Sequence, residues 1–254
     1  MLIDTHCHID QYPEPERMVR ECEQHGVRVV AVTYFPTNFG IAADKLRGHP
    51  LISAALGMHP LFASKAIRQL SAFKRMAPFA DFIGEVGLDF SPQGISSRAL
   101  QERVFDEVVQ TICDRQRFVT LHSRRAEKTV LDKLSEFEVK RVVFHWFSGT
   151  SAQLRRVLDA GHLVSINPAM LHSSSGKEVL SFAPPEQVLV ESDGPFARVG
   201  DEPCRPTGLS AVYQALATMW KLKEEAVAER IKRTFEELLR LVELEKTSTG
   251  EGSR

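Results

Sequence analysis

Along the chain, short blocks of Val, Ile, Leu and Phe alternate with segments in which apolar residues recur every three or four positions. The blocks are apolar through and through, as strands of a covered parallel sheet are. They predict strands near Leu2–His6, Val27–Tyr34, Ile52–Met58, Phe82–Gly87, Phe118–His122, Val142–His145, Leu163–Asn167 and Val188–Ser192. The segments between them read as amphipathic helices. Leu100, Val104, Phe105, Val108 and Ile112 make one stripe, and Thr150 caps another that carries Leu154, Val157 and Leu158 and stops at Gly161. Alternating units of this kind predict an α/β fold in a single domain, a (β/α)8 TIM barrel over residues 1–245. An open doubly wound sheet is the alternative. Its nucleotide-binding version is disfavoured, because the first strand runs into Thr5-His6-Cys7-His8 and not a glycine-rich phosphate loop. Two helices, near Leu209–Trp220 and Glu224–Leu241, are expected to close the barrel, with Val212, Leu216 and Met219, then Val227, Ile231, Phe235 and Leu238, in the core. Residues 246–254 are polar and small and are expected to be a disordered tail.

Composition narrows the picture only a little. The length of 254 residues suits one barrel, and 43% hydrophobic with 26% charged residues is ordinary for a globular protein. No stretch approaches the roughly 20 apolar residues that span a bilayer, and the N-terminus lacks the order of a secretory signal, so a cytoplasmic protein with no membrane partner is expected. Cys7, Cys22, Cys113 and Cys204 are scattered with no C-x-x-C pair, which suits free thiols in a reducing compartment. A formal net charge of −1 excludes a protein that grips long duplex by phosphate contacts alone. Nucleic-acid binding, if present, belongs in a cleft.

The chemistry lies where polar residues interrupt the strands. His6 and His8 end the first, Glu85 sits in the fourth, His122 ends the fifth, His145 the sixth, and Asp193 follows the eighth. In a barrel those C-terminal ends converge on one face, where active sites are built. Period-two alternation turns His6 and His8 to one side and Cys7 to the other, so H-x-H can chelate while Cys7 packs elsewhere. Asp4 points the same way and is expected to orient an imidazole from behind. Four imidazoles and two carboxylates exceed one tetrahedral shell. Two divalent ions sharing a carboxylate is the economical reading, with Mg²⁺, Mn²⁺ or Zn²⁺ suited to this donor mixture.

In order, "DTHCHID", "GMHP", "IGEVGLDF", "LHSRRA", "FHWFSG" and "ESDGP" span residues 4 to 195 and resemble the successive motifs of the TatD family of metal-dependent deoxyribonucleases, within the amidohydrolase superfamily. The resemblance implies a barrel with a binuclear metal site and exonuclease activity on DNA, often at 3′ ends and sometimes extending to aminoacylated RNA ends. Carried over, His6, His8, Glu85 and Asp193 would hold one ion and Glu85, His122 and His145 the other, with Glu85 bridging. Asp193 is then the expected general base, with Glu85 the second catalytic carboxylate. His59 and Arg124 are expected at substrate phosphates, and Trp146, with Phe147 beside it, at a base. The chain departs from the family where Leu61 replaces a usual histidine and where Thr207 and Gly208 follow "CRP". These departures resemble the TatD-like nuclease of Qat anti-phage defence clusters, which would imply protein partners in a defence complex. Two other readings keep the barrel: a superfamily hydrolase of a non-nucleic-acid ester or amide, whose usual bridging lysine is here Glu85, and a subunit that acts chiefly by docking.

Overall fold

The computed structural model describes residues 1–250, with side chains through Glu245. Eight parallel strands alternate with helices: β1 (Leu2–Cys7), α1 (Pro15–Gln24), β2 (Val27–Ala31), α2 (Pro36–Lys45), β3 (Ile52–Ala54), α3 (Ala63–Ala66), α4 (Leu70–Met76), β4 (Phe82–Gly87), α5 (Arg98–Ile112), β5 (Phe118–His122), α6 (Glu127–Glu136), β6 (Val143–Phe144), α7 (Ser151–Asp159), β7 (Leu163–Ile166), α8 (Ser174–Phe182) and β8 (Val188–Val190). A small hairpin, β9 (Arg198–Val199) with β10 (Glu202–Pro203), leads to α9 (Ser210–Trp220) and α10 (Glu224–Gly250).

Strand pairing runs β1-β2-β3 and β4-β5-β6-β7-β8. A parallel bridge from Leu56 to Ile83 joins the two sheets, and the loop is closed where His6 C=O accepts from Asp193 N–H (2.9 Å) and Thr5 Oγ1 donates to Val190 C=O (3.0 Å). The result is the expected TIM barrel. Periodicity predicts β2 as far as Tyr34 and β3 as far as Met58, whereas their ladders stop at Ala31 and Ala54. Beyond them Val32, Leu56 and Met58 stay in the core, and only Tyr34 and then His59 reach the mouth.

One core fills the barrel and the space beneath its helices; a second, smaller one, holding Cys7, Ile9, Met18, Val19 and Cys22, seals α1 onto β1 and β2. Cys7 therefore packs away from the mouth, and all four cysteines are free. Thr150 caps α7 in a reciprocal capping box with Gln153. In α9 the expected stripe is corrected: Val212 and Leu216 are buried, but Met219 is 40% exposed and Tyr213 takes the core position, where its hydroxyl accepts from Ile3 N–H at 3.0 Å. The helix α10 buries Val227, Ile231, Phe235 and Leu238 and sets Phe235 against Phe118, the first residue of β5. It continues through Gly250, so helical backbone replaces the first part of the tail expected from residue 246. Residues 251–254 lie outside the described residues. No helix among the described residues is long and apolar enough to cross a membrane.

Candidate metal centre

Two irregularities in the parallel ladders aim the site. The β1–β2 register shifts between Asp4 and Cys7, and the β4–β5 register between Ile83 and Val86, which are the places that carry His6 and Glu85. Local bulges of this sort re-aim side chains. At Gly87, φ is +137° and an added Cβ would lie 2.0 Å from His122 C=O, so β4 can approach the end of β5 this closely only with glycine there. Asp193 and Trp146 both hold left-handed backbone, at φ +45° and +39°. Such conformations cost non-glycine residues about 1–3 kcal/mol and persist where the surroundings impose them. Asp193 N–H is tied to β1, and Trp146 N–H donates to Glu191 Oε1 at 3.0 Å.

All six residues expected to hold metal meet in one buried cluster centred on Glu85. Its Oε2 lies 3.2 Å from His8 Nε2 and 3.7 Å from His6 Nε2, while its Oε1 lies 2.6 Å from His122 Nδ1 and 3.1 Å from His145 Nε2. Asp193 Oδ1 sits 3.7 Å from His8 Nε2 and 3.9 Å from His6 Nε2. A fifth imidazole joins them. His59, expected at a phosphate, places Nε2 3.1 Å from Glu85 Oε2. One donor atom from each member lies within 4.8 Å of the others in three trios: His6, His8 and Asp193; His6, Glu85 and His145; and His59, Glu85 and His122.

A divalent cation fits these residues. His6 Nε2 is buried with no hydrogen-bond partner, although it faces two carboxylates. A buried polar atom left in that state costs about 1–3 kcal/mol, and a cation among the donors would satisfy it. Imidazole and carboxylate together suit Zn²⁺ or Mn²⁺, and carboxylate with water suits Mg²⁺.

The same packing separates the proton affinities. Burial works to raise Glu85, but His59, His145 and His122 outweigh it and hold the carboxyl well below its usual range. Burial pushes Asp193 up to about 7, its neighbouring carboxylates adding to the effect. Burial, then His145, whose ring stacks on it at 3.9 Å, lowers His6 to about 3. Burial opposes charge on His122 and His145 as well, yet Asp89 and Glu85 raise the first, and Glu191 and Glu85 raise the second.

Behind the donors stands a ring of supports that strand-end reasoning does not reveal. Asp89 Oδ2 is 2.8 Å from His122 Nε2, which turns Nδ1 to Glu85. Thr120 Oγ1 is 2.8 Å from His6 Nδ1. Glu191 is fully buried, accepts from Ser165 Oγ and from Asn167 Nδ2 (3.1 Å), and faces His145 Nδ1 at 3.6 Å. Their signals were present: Asp89 lies in "EVGLD", and Glu191 is a charge set in an apolar strand. Asp4 is a correction. It touches no imidazole; its Oδ1 accepts from the backbone N–H of His6 (3.1 Å) and of Ser192 (2.9 Å), because the register shift after Asp4 turns it to the seam where β1 meets the end of β8.

Above the cluster opens a cleft of about 540 Å³. Arg124, exposed at its rim, and Trp146, half-buried, line it as expected. Phe147 does not; it is buried in the core. Arg198 in β9 donates to Asp201 C=O, and Arg205 after β10 donates to Glu21. Tyr34, Phe62 and Phe196 also line the cleft and were not anticipated.

The family model described as TatD related DNase matches residues 3–240. The uncharacterized metal-dependent hydrolase YjjV of Escherichia coli strain K12 is 26% identical over 245 residues, covering 90% of this chain and 94% of its own. The crystal structure of that protein superposes with a TM-score of 0.84 at 24% identity, over 93% of this chain and 97% of the other. Human deoxyribonuclease TATDN3 is 27% identical over 94% of each chain. The 3′-5′ ssDNA/RNA exonuclease TatD of Pantoea vagans is 30% identical over 73% of this chain and 76% of its own. A match over nearly the whole barrel, together with a histidine and carboxylate cluster at the strand ends, makes this chain a member of the TatD-related DNase family of metal-dependent hydrolases.

Proposed function

We propose that the chain is a two-metal nuclease that hydrolyses DNA phosphodiester bonds, removing nucleotides from the 3′ end of single-stranded DNA. The observation that carries this reading is Glu85: a buried carboxylate each of whose two oxygens faces imidazoles, a donor that two ions could share. His6, His8, Glu85 and Asp193 would hold one ion, and Glu85, His122 and His145 the other, with His59 against the shared carboxylate. When bound, the ions supply Lewis-acid stabilisation of charge on the phosphate oxygens and ease deprotonation of water.

The chain's own groups then carry the protons. Asp193, beside His6 and His8 at the mouth, accepts the proton of the attacking water; the new P–O bond forms as the P–O3′ bond breaks, and that proton returns to the departing 3′ oxygen. Arg124 at the rim pairs a non-bridging phosphate oxygen, and Trp146 meets a base. Support for the 3′ direction comes from the Pantoea exonucleases, whose names state it. Residence in the cytoplasm, supported by four free cysteines, belongs to the same proposal.

The test is end-labelled single-stranded DNA incubated with metal-stripped protein and with Mg²⁺- or Mn²⁺-loaded protein, beside a His6→Ala control. Stepwise loss from the 3′ end by the loaded wild type alone is the expected result. Equal loss in the control, or none with either metal, would overturn the reading. An anti-phage role is raised by the departures at Leu61, Thr207 and Gly208; deleting the gene from its host should then raise phage plating efficiency, and unchanged plating would remove that part.

A further inference from the structure

The cleft has an aromatic side that the chemistry above does not use. Tyr34 follows β2, Phe62 follows β3, and Phe196 follows β8, yet their rings gather in one place: Tyr34 lies 5.0 Å from Phe62 and 6.3 Å from Phe196 between centroids. Phe196 stands edge-on to His8 at 4.9 Å, and Tyr34 lies 5.2 Å from the same imidazole, so the group abuts the donor cluster. Leu61 extends the apolar lining.

Core packing does not account for these rings. Phe196 is 49% exposed, and Tyr34 and Phe62 are only partly covered. An aromatic held open to water beside an ion-binding cleft forgoes burial worth about 25 cal/mol per Å². No charged side chain belongs to this group, whereas Arg124 stands after β5. A fitting ligand therefore has a flat, uncharged, apolar face at one end and an anion at the other, on the side of Arg124 and the imidazoles. A nucleobase joined to its phosphate has that form.

We propose that Tyr34, Phe62 and Phe196 form a slot that stacks the base of the terminal nucleotide. The inference rests on the nuclease reading and sharpens it. A cleft of about 540 Å³ falls in the range of sites for single small ligands, roughly 300–1,000 Å³, and takes one nucleotide at a time. A paired terminal base must first leave its partner to enter. Base–aromatic stacking tolerates all four bases, so the slot selects for strand state over sequence.

The experiment places 2-aminopurine at the 3′ terminus of a single-stranded oligonucleotide, with a mid-strand probe as control, and follows its fluorescence on titration with protein in EDTA, where no hydrolysis intervenes. Wild type should quench the terminal probe well beyond the mid-strand one. Phe196→Ala should abolish the difference and weaken binding roughly tenfold, the order expected for one lost base stack; Phe196→Tyr should restore both, and Phe196→Leu should not. Equal quenching of the two probes by wild type, or a terminal preference that survives in Phe196→Ala and Phe196→Leu, overturns the slot. Adding Mn²⁺ to the same samples then reads cleavage separately: a stacked terminus that is never cut contradicts the nuclease reading and leaves the slot standing.

Discussion

Glu85 has almost no exposed surface and five imidazoles about it, and that crowding decides which of its neighbours matter. Imidazoles are useful to a cation only when their second nitrogen is fixed, which is the work of Asp89 on His122 and Thr120 on His6. Asp89→Ala frees the His122 ring, so affinity for Mn²⁺ measured by calorimetry should fall about 10- to 100-fold while the thermal midpoint of the stripped protein changes little. A wild-type affinity in that variant contradicts the role. His162 shows the same physics away from the site. Burial lowers its imidazole to about 4 from the ordinary 6.5. The folded form keeps it neutral while the unfolded chain takes up a proton as pH falls below 6.5. Stability is therefore intact above that value and is lost as pH falls to about 4, by up to about 3 kcal/mol. His162→Gln cannot take up that proton, so urea melts of the two proteins should diverge across this window; parallel curves would count against it.

Helices and strands were legible to different depths. Thr150 announced α7 by its own chemistry, a hydroxyl three residues before Gln153, and the structure holds both halves of the box. Thr150→Ala should cost about 1 kcal/mol and lower the melting temperature by a few degrees, with nuclease activity unchanged at low temperature. Strand positions were legible because buried parallel strands are apolar on both faces, and β4 and β5 match their expected limits, Phe82–Gly87 and Phe118–His122. The ends of β2, β3, β6, β7 and β8 ran long. Residues such as Tyr34 and His145 lie beyond the regular ladder and face the mouth. Alternation also placed His6, His8 and Cys7 correctly. It misplaced Asp4, because a register shift within β1 breaks the count.

Across the molecule, the six donors converge because a closed barrel brings the ends of five strands together from positions 6 to 193. That convergence could be anticipated, since each donor ends an apolar run. The aromatic cluster could not: Tyr34, Phe62 and Phe196 sit in three separate loops with no periodicity to link them. Fold and donor set thus follow from patterns within elements, while the substrate-facing surface follows only from how loops fold over the mouth. The account hangs on one shared carboxylate, and counting metal tests it. Protein stripped, reloaded with Mn²⁺ and desalted should carry two ions per chain as wild type and at most one as Glu85→Ala, with single-strand cleavage lost in step. Equal metal content in the two proteins would contradict a centre built around Glu85.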